Sequence, residues 1–600
     1  GVVCRSTLRV RLAGSIGLSV LGVLVAVPAA ALDPLRSITQ YTQTTWGVDD
    51  GLPQSSVTSI AQSAEGYLWM GTQGGLARFD GSNFVVIDRR VAPALPHDFV
   101  SALARRSEGG LWVGTYGGLA VLEGDTVRRW PLTTRSERVT TLMTQADGTL
   151  WVGTEGGGIE RVRGDESELF DVAQGLPHSD VRVIVQTLDG AVWAGTREGL
   201  ARWTGERFVV APETRGRAVL ALAEDPSGRL WVGTGDGVLR REGATLVGDD
   251  ELQGAAVSAI LADGDDNVWF AVTGRGLVRR HDGLYSLYAP PDGLPADDLL
   301  VLFEDRERTV WLGANGVGLV RLKDSPLVPF GHREGLARDP VFAVLEARDG
   351  SLWVGTHGGG LDHMVGGRIE HLTTADGLAH DFIAALHEDR RGDLWIGTRG
   401  GGLDRLSPGG TITHFGSAEG LGAQVIFALA EDARGRLWVA SERGLYRRAR
   451  DAARFEPVPV AGTTVITALR ADREGSMWVG TQQSGLLLVL DDAHVVRYGR
   501  RDGLPDDFVT TIRYTSGGDL WIGTTAGLAH LAGGTLRPLG AAQGLFDGVV
   551  LDVLDDDRGH VWLSSNDGLR RVTTDDLHAV VRGDRARVDP LLFDSSDGMR

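Results

Sequence analysis

Gly51-Leu52-Pro53 opens the stretch that decides the fold. It continues through Val57-Thr58-Ser59-Ile60, Glu65-Gly66, Tyr67-Leu68-Trp69-Met70-Gly71-Thr72, Gly74-Gly75, Leu76-Ala77-Arg78-Phe79 and Asp80-Gly81 to Phe84-Val85-Val86-Ile87. Short apolar runs alternate with turns rich in Gly, Asp and Asn, which predicts four strands of about four to six residues. No helix of three turns fits between them. Four antiparallel strands in about 40 residues make one blade of a β-propeller.

The same pattern recurs along the whole chain. Aligned on Leu-Trp-Val-Gly-Thr, tryptophans fall at Trp69, Trp112, Trp151, Trp193, Trp231, Trp269 and Trp311, then at Trp353, Trp395, Trp438, Trp478, Trp521 and Trp562. Their spacing averages about 41 residues, and only Trp46, Trp130 and Trp203 of the 16 tryptophans lie outside the register. The strands that carry them are apolar at consecutive positions, as expected of sheets covered on both faces. A buried indole removes roughly 150–250 Å² from water. That is worth at most about 4–6 kcal/mol per copy.

A propeller has about 4–8 blades, so thirteen copies require two rings. We expect an all-β fold of two tandem seven-bladed propellers with four-stranded antiparallel blades, the last incomplete. Residues 32–330 would hold the first ring and 331–600 the second, with the seam near Leu322-Lys323-Asp324-Ser325-Pro326. Residues 37–46, ending in Trp46, sit where other copies carry their outermost strand, and are expected to close a ring by completing a blade begun elsewhere. At the other end, Leu592-Phe593 and Asp597-Gly598-Met599 match an outer strand and the next turn. The pattern is still running there and the first residue is Gly, so the chain reads as a fragment.

Residues 1–31 read as a secretory signal. Arg5, Arg9 and Arg11 precede an apolar core from Ala13 to Val27, and Pro28-Ala29-Ala30-Ala31 supplies a small-residue cleavage context. An uncleaved anchor is the competing reading, although a span wants about 20 apolar residues. The only cysteine, Cys4, precedes that core, so the exported part has no disulfide and no thiolate metal site. Glycine, at 85 of 600 residues, is about twice its usual share, which fits frequent tight turns. A formal charge of −19 disfavours nucleic acid as a partner.

Asp50-Gly51-Leu52-Pro53, Gly66-Tyr67-Leu68-Trp69-Met70-Gly71-Thr72 and Gly75-Leu76-Ala77-Arg78-Phe79-Asp80-Gly81 resemble the two-component regulator propeller repeat. Asp502-Gly503-Leu504-Pro505, Leu520-Trp521-Ile522-Gly523-Thr524 and Gly527-Leu528 repeat the match, and the resemblance covers residues 37–600. It implies a periplasmic sensor region of an inner-membrane signalling protein. A β-sandwich, a transmembrane helix and a cytoplasmic output would follow, the output most often a histidine kinase and in other members a diguanylate cyclase. It further implies a small-molecule or oligosaccharide ligand, attachment to the inner membrane through a downstream segment, a homodimer, and no nucleic acid in this region. Ala271-Val272, Gly313-Ala314, Ala440-Ser441 and Ser564-Ser565 depart from Gly-Thr and mark candidate irregular blades.

No catalytic residue, metal site or cofactor is expected in this region. Carboxylates such as Asp349, Asp389, Asp432 and Asp472 recur at one turn and suit turn capping better than a glycosidase pair. His357, His363, His371, His380 and His387 are spread over strands and turns of two blades, unlike a convergent metal site. Gly156-Gly157-Gly158, Gly358-Gly359-Gly360 and Gly400-Gly401-Gly402 lack the Lys and helix of a phosphate loop and read as hairpin turns. The residues just past Gly-Thr share one face of the ring with the Gly-Leu-Pro loops and vary between copies. They are Gln73, Tyr116, Glu155, Arg197, Asn315, His357, Arg399, Glu442, Gln482 and Asn566. Variable loops on a rigid scaffold are where binding concentrates, so these ten are the candidate ligand residues. The leading functional expectation is a periplasmic ligand-sensing module. Its competitors are a secreted carbohydrate-active hydrolase or lyase and a structural or protein-binding platform.

Overall fold

The computed structural model describes residues 32–597, apart from 34–35, 165, 325–326, 461–464, 473, 516, 546–547 and 595–596. The expected export signal lies outside the described residues. Thirteen four-stranded antiparallel sheets form, one per repeat tryptophan, and are numbered here as blades 1 to 13. In blade 1 the strands run from the hub outward as β2 (Val57–Gln62), β3 (Leu68–Thr72), β4 (Gly75–Phe79) and β5 (Phe84–Ile87). The first strand of the chain, β1 (Thr42–Trp46), belongs elsewhere.

Each residue of the consensus has a visible task. All five residues of β3 are buried, because a blade lies against each of its faces. A Cβ at Gly71 would stand 2.8 Å from a methyl of Val100 and 2.9 Å from its carbonyl oxygen. The glycine is therefore required by the close approach of blade 2. Thr72, fully buried, donates its hydroxyl to the carbonyl of Gly75 at 2.8 Å and ties the turn into β4. The same bond recurs from Thr115 to Gly118 and from Thr524 to Gly527.

The turn carboxylate does more than cap. An aspartate six residues before the tryptophan accepts the indole N–H, as Asp225 does from Trp231, Asp263 from Trp269, Asp305 from Trp311 and Asp432 from Trp438, all at 2.7–2.8 Å. The same carboxylate accepts backbone N–H groups of its own turn, for example Arg229 on Asp225 and Arg436 on Asp432. One side chain thus satisfies two kinds of buried donor that would each be costly to leave unpaired.

Blade 7 contributes only three strands from its own repeat, Leu299–Glu304, Val310–Ala314 and Gly318–Lys323. Its fourth is β1, paired antiparallel from Thr42 opposite Lys323 to Trp46 opposite Leu319. Trp46 packs 5.1 Å from Phe79 and 5.7 Å from Trp311, bridging blades 1 and 7. Gly313 abuts Val57 as Gly71 abuts Val100, so the first ring is closed. The orphan N-terminal strand seals it.

Blades 8 to 13 run from Val341 to Phe593. Residues of all six line one central cavity, which makes them an arc around a common axis. Blade 13 departs from the template. Between Gly568–Thr573 and its outer strand Leu591–Phe593 it inserts the helix α1 (Thr574–Arg582). Thr573 caps α1 by accepting from the Asp576 amide, and Gly583 ends it at φ +86°. Leu577 of α1 is fully buried in the cluster around Trp521. Ala271 and Ala440, in contrast, are buried without breaking their blades. No helix among the described residues is long and apolar enough to cross a membrane.

Candidate functional site

Because adjacent strands alternate direction, the residue after Gly-Thr returns to the start of its blade's innermost strand. The backbone N–H of Tyr116, Glu155, Arg197, Asn315, His357, Arg399, Glu442 and Gln482 donates to Phe99, Arg138, Asp180, Asp298, Pro340, Phe382, Val425 and Val465, in that order, at 2.9–3.3 Å. These positions form the rims of the two central channels. Gln73, Tyr116, Glu155, Arg197 and Asn315 belong to the first ring, and His357, Arg399, Glu442, Gln482 and Asn566 to the second. The ten candidates therefore make two sets.

Polar groups of the first rim are largely spent on one another. Asn315 donates to Asp298 at 2.9 Å and accepts from Ser56 at 2.7 Å, stitching blade 7 to blade 1. Tyr116 packs edge-on to Phe99, with ring centroids 4.0 Å apart, and Arg138 lies over its ring. Burial, then the Glu155 charge, raises the Tyr116 phenol above its ordinary range. Arg138 pairs with Glu155 at 3.3 Å and Arg182 with Asp180 at 2.8 Å. Arg197 and Gln73 stand exposed.

Below the rim, the second residue of each innermost strand points toward the next blade. In blades 1, 2, 3 and 6 it is Thr58, Ser101, Thr140 and Ser258. Each hydroxyl donates to the next blade at 2.5–2.6 Å, reaching the carbonyls of Val100, Val139, Val181 and Leu299. In blades 11 and 12, Thr467 and Thr510 make the same bond to Val509 and Val550. Blades 8, 9 and 10 carry Phe342, Ala384 and Phe427 there instead, and that part of the second hub is unstitched.

There the channel widens into a cavity of about 740 Å³. Phe342, Phe427, Phe508 and Leu551 form apolar wall, and Thr467, Thr510, Gln482 and Ser564 are among its polar lining. Arg399 enters from blade 9, its guanidinium carbon 5.0 Å from the ring centre of Phe382, 5.4 Å from Phe342 and 5.5 Å from Phe427. His357 packs edge-on to Phe382 at 4.3 Å, while Glu442 turns back to accept from the amides of Gln424 and Val425. Asp552 is the one carboxylate in the lining. It accepts from Thr511 at 2.6 Å and pairs with Arg513 at 2.9 Å. Burial raises its pKa, but the Arg513 bonds and charge outweigh that and hold it below the ordinary carboxylate range.

Two buried carboxylates brace this side of the ring. Asp362 and Asp404 each accept a turn amide, from Ala337 and Ala379, and each holds a histidine, His371 and His414, at 2.6 Å. They fix the turns that lead into Phe342 and Phe382. Of the other histidines, His363 stacks on Trp353 and His380 accepts from the Phe382 amide. Among the described residues no group of three or more His, Cys, Asp or Glu is arranged to hold a metal. A crevice between blades 9 and 10, beside Arg405 and Arg448, has about 30 Å³ and fits a water only.

The phenylalanines were missed at the sequence level. Aligning the residue after the first apolar position of each innermost strand separates the Thr and Ser copies from Phe342 and Phe427, and that column carried the signal.

Fold and channel together define a tandem β-propeller built to present two rims. The two-component regulator propeller model matches residues 51–74, 94–117, 215–236, 335–358, 377–400, 420–443 and 503–526. Seven copies of this repeat are thus recognised along the chain. Among solved structures, the extracellular domain of a hybrid two-component system from B. thetaiotaomicron is 19% identical, with a TM-score of 0.77 over 93% of this chain and 79% of that one. A second such domain from the same organism has the same identity and coverage and a TM-score of 0.43. Virginiamycin B lyase from Staphylococcus aureus is 15% identical, with a TM-score of 0.40 over 47% of this chain and 99% of that one. No curated protein matches the chain.

Proposed function

We propose that this chain is the periplasmic ligand-sensing propeller region of a membrane-bound signalling protein, governing a cytoplasmic histidine kinase or diguanylate cyclase. The observation that carries the reading is the cavity in the second propeller, to which all six described blades contribute and where an arginine stands among aromatic rings. Its volume suits a small ligand. The repeat family and the fold shared with extracellular domains of hybrid two-component systems support the same reading. A ligand that touches several blades at once favours one arrangement of the ring over another, and a signalling equilibrium can only be shifted by such differential contact. Among the described residues the one lining carboxylate is locked to Arg513 and has no partner carboxylate in the cavity, which weighs against a glycosidase.

The test is a thermal-shift and calorimetric screen of the purified protein against small polar and oligosaccharide ligands. It is followed by measurement of output in the intact signalling protein with and without the hit. A hit whose binding is lost in Phe427→Ala and which changes output supports the reading. Saturating binding at this cavity with no change in any output removes it.

A further inference from the structure

We propose that the cavity of the second propeller selects an organic carboxylate carried on a flat apolar body, with Arg399 as the anion's partner and Phe342, Phe382 and Phe427 as the platform for the body. The inference rests on reading this cavity as the sensor's ligand pocket, and goes beyond it in naming the ligand's chemistry.

Three observations point to it. First, Arg399 has no carboxylate within ion-pair distance and no side-chain hydrogen bond among the described residues, although the chain carries a formal charge of −19. Its contacts are ring faces. A face attracts the cation but leaves the five N–H donors at the guanidinium edge unused, a planar fork matched to a carboxylate. Arg197, the equivalent residue of blade 4, is exposed as Arg399 is but has no ring around it, so an unpaired rim arginine alone is not the feature.

Second, the charge that the described blades bring to the cavity favours a monoanion. Among the described residues its lining holds two charged side chains, Arg399 and Asp552, and Asp552 is already matched by Arg513. One positive charge is left over. A carboxylate answers it, whereas a phosphate dianion would keep one negative charge unmatched beside Asp552.

Third, the wall next to Arg399 is apolar, with Phe342 and Phe427 both in the cavity lining. Rings from three consecutive blades converge on one guanidinium, so a flat body lying on them reaches the fork without leaving the apolar wall. Such a ligand gains from stacking and from the charge-assisted bond together.

The experiment titrates the purified protein by calorimetry with phenylacetate, 2-phenylethanol, 2-phenylethylamine and acetate. Phenylacetate is expected to bind most tightly, with 2-phenylethanol about tenfold weaker or more, and with no detectable binding of the amine or of acetate. Arg399→Gln should weaken phenylacetate about tenfold while leaving 2-phenylethanol unchanged, and Phe427→Ala should weaken both. An unchanged unfolding midpoint of each unliganded variant shows that the ring is intact. Equal binding of the acid and the alcohol, or full binding of phenylacetate by Arg399→Gln, overturns the proposal. So does failure of every probe. If a neutral ligand then occupies the cavity and alters output, the sensor reading survives and only the anion is wrong.

Discussion

The two propellers share one blade template and differ at their hubs. In the first, four hydroxyls from Thr58, Ser101, Thr140 and Ser258 bond the next blade, and Arg138 and Arg182 are paired with Glu155 and Asp180. In the second, Phe342, Ala384 and Phe427 replace the hydroxyls in three consecutive blades, and an unpaired Arg399 faces the resulting cavity. The outer parts of the blades barely register this change. The position varies in the first ring as well, where Arg182, Leu220 and Leu300 hold it in blades 4, 5 and 7, but only the second ring places phenylalanines there, while glycine, threonine and tryptophan keep the scaffold constant.

Closure gives the largest expected difference between the rings. Trp46→Ala removes the indole that bridges blades 1 and 7, and is expected to cost about 3 kcal/mol. In hydrogen exchange, amides of Gly318–Lys323 should lose protection while those of blade 11 keep theirs. Equal loss in both rings would show that the two propellers unfold as one unit.

The turn carboxylate separates blades within the second ring. Asp432 is fully buried and holds both the Trp438 indole and the Arg436 side chain. Asp432→Ala should cost about 2 kcal/mol by orphaning those donors. Burial raises its pKa, yet the indole, amide and guanidinium bonds outweigh this and lower it below the ordinary value. Its contribution is therefore present at neutral pH and lost as pH falls below about 4, through the depressed folded-state value. Blade 12 has Thr515 at the same place, and among the described residues the Trp521 indole N–H there has no hydrogen-bond partner. Thr515→Asp should thus gain about 1 kcal/mol and add a new acid-sensitive step to the denaturation profile.

The elements most legible in the sequence were those repeated most often. Thirteen indoles gave blade number and strand order, because each must be buried between sheets. The role of 37–46 as a closing strand followed from its place before a Gly-Leu-Pro turn, although its partner, the strand Gly318–Lys323, lies far along the chain and only the coordinates show the pairing. Irregular features were harder. Helix α1 is capped by Thr573, with Asp576 three residues on, and ends before Gly583, the ordinary marks of a capped helix, but the repeat's expectation of an outer strand hid them. Strand direction put the residues after Gly-Thr beside the start of each innermost strand, while the aromatic residues beneath lay one position inside that strand, where apolar residues look like core.

The hydroxyl stitches are worth less singly. Thr140→Val leaves the Val181 carbonyl without its partner and should cost about 1 kcal/mol, measured by urea unfolding.

The smallest effect on stability belongs to the exchange that bears most on function. Phe427→Thr places a hydroxyl where Thr140 and Thr467 carry theirs, within reach of the Ile466 carbonyl, the next blade's equivalent of Val509. The new bond offsets most of the lost aromatic contact, so the unfolding free energy should move by less than about 1 kcal/mol. Ligand binding should nevertheless fall, because Arg399 loses one of its three rings and the cavity loses part of its floor. A variant as stable as the parent that no longer binds would show that stitching and sensing compete for the same position. If it binds as well as the parent, the aromatic hub is packing alone, and the difference between the two propellers has no bearing on recognition.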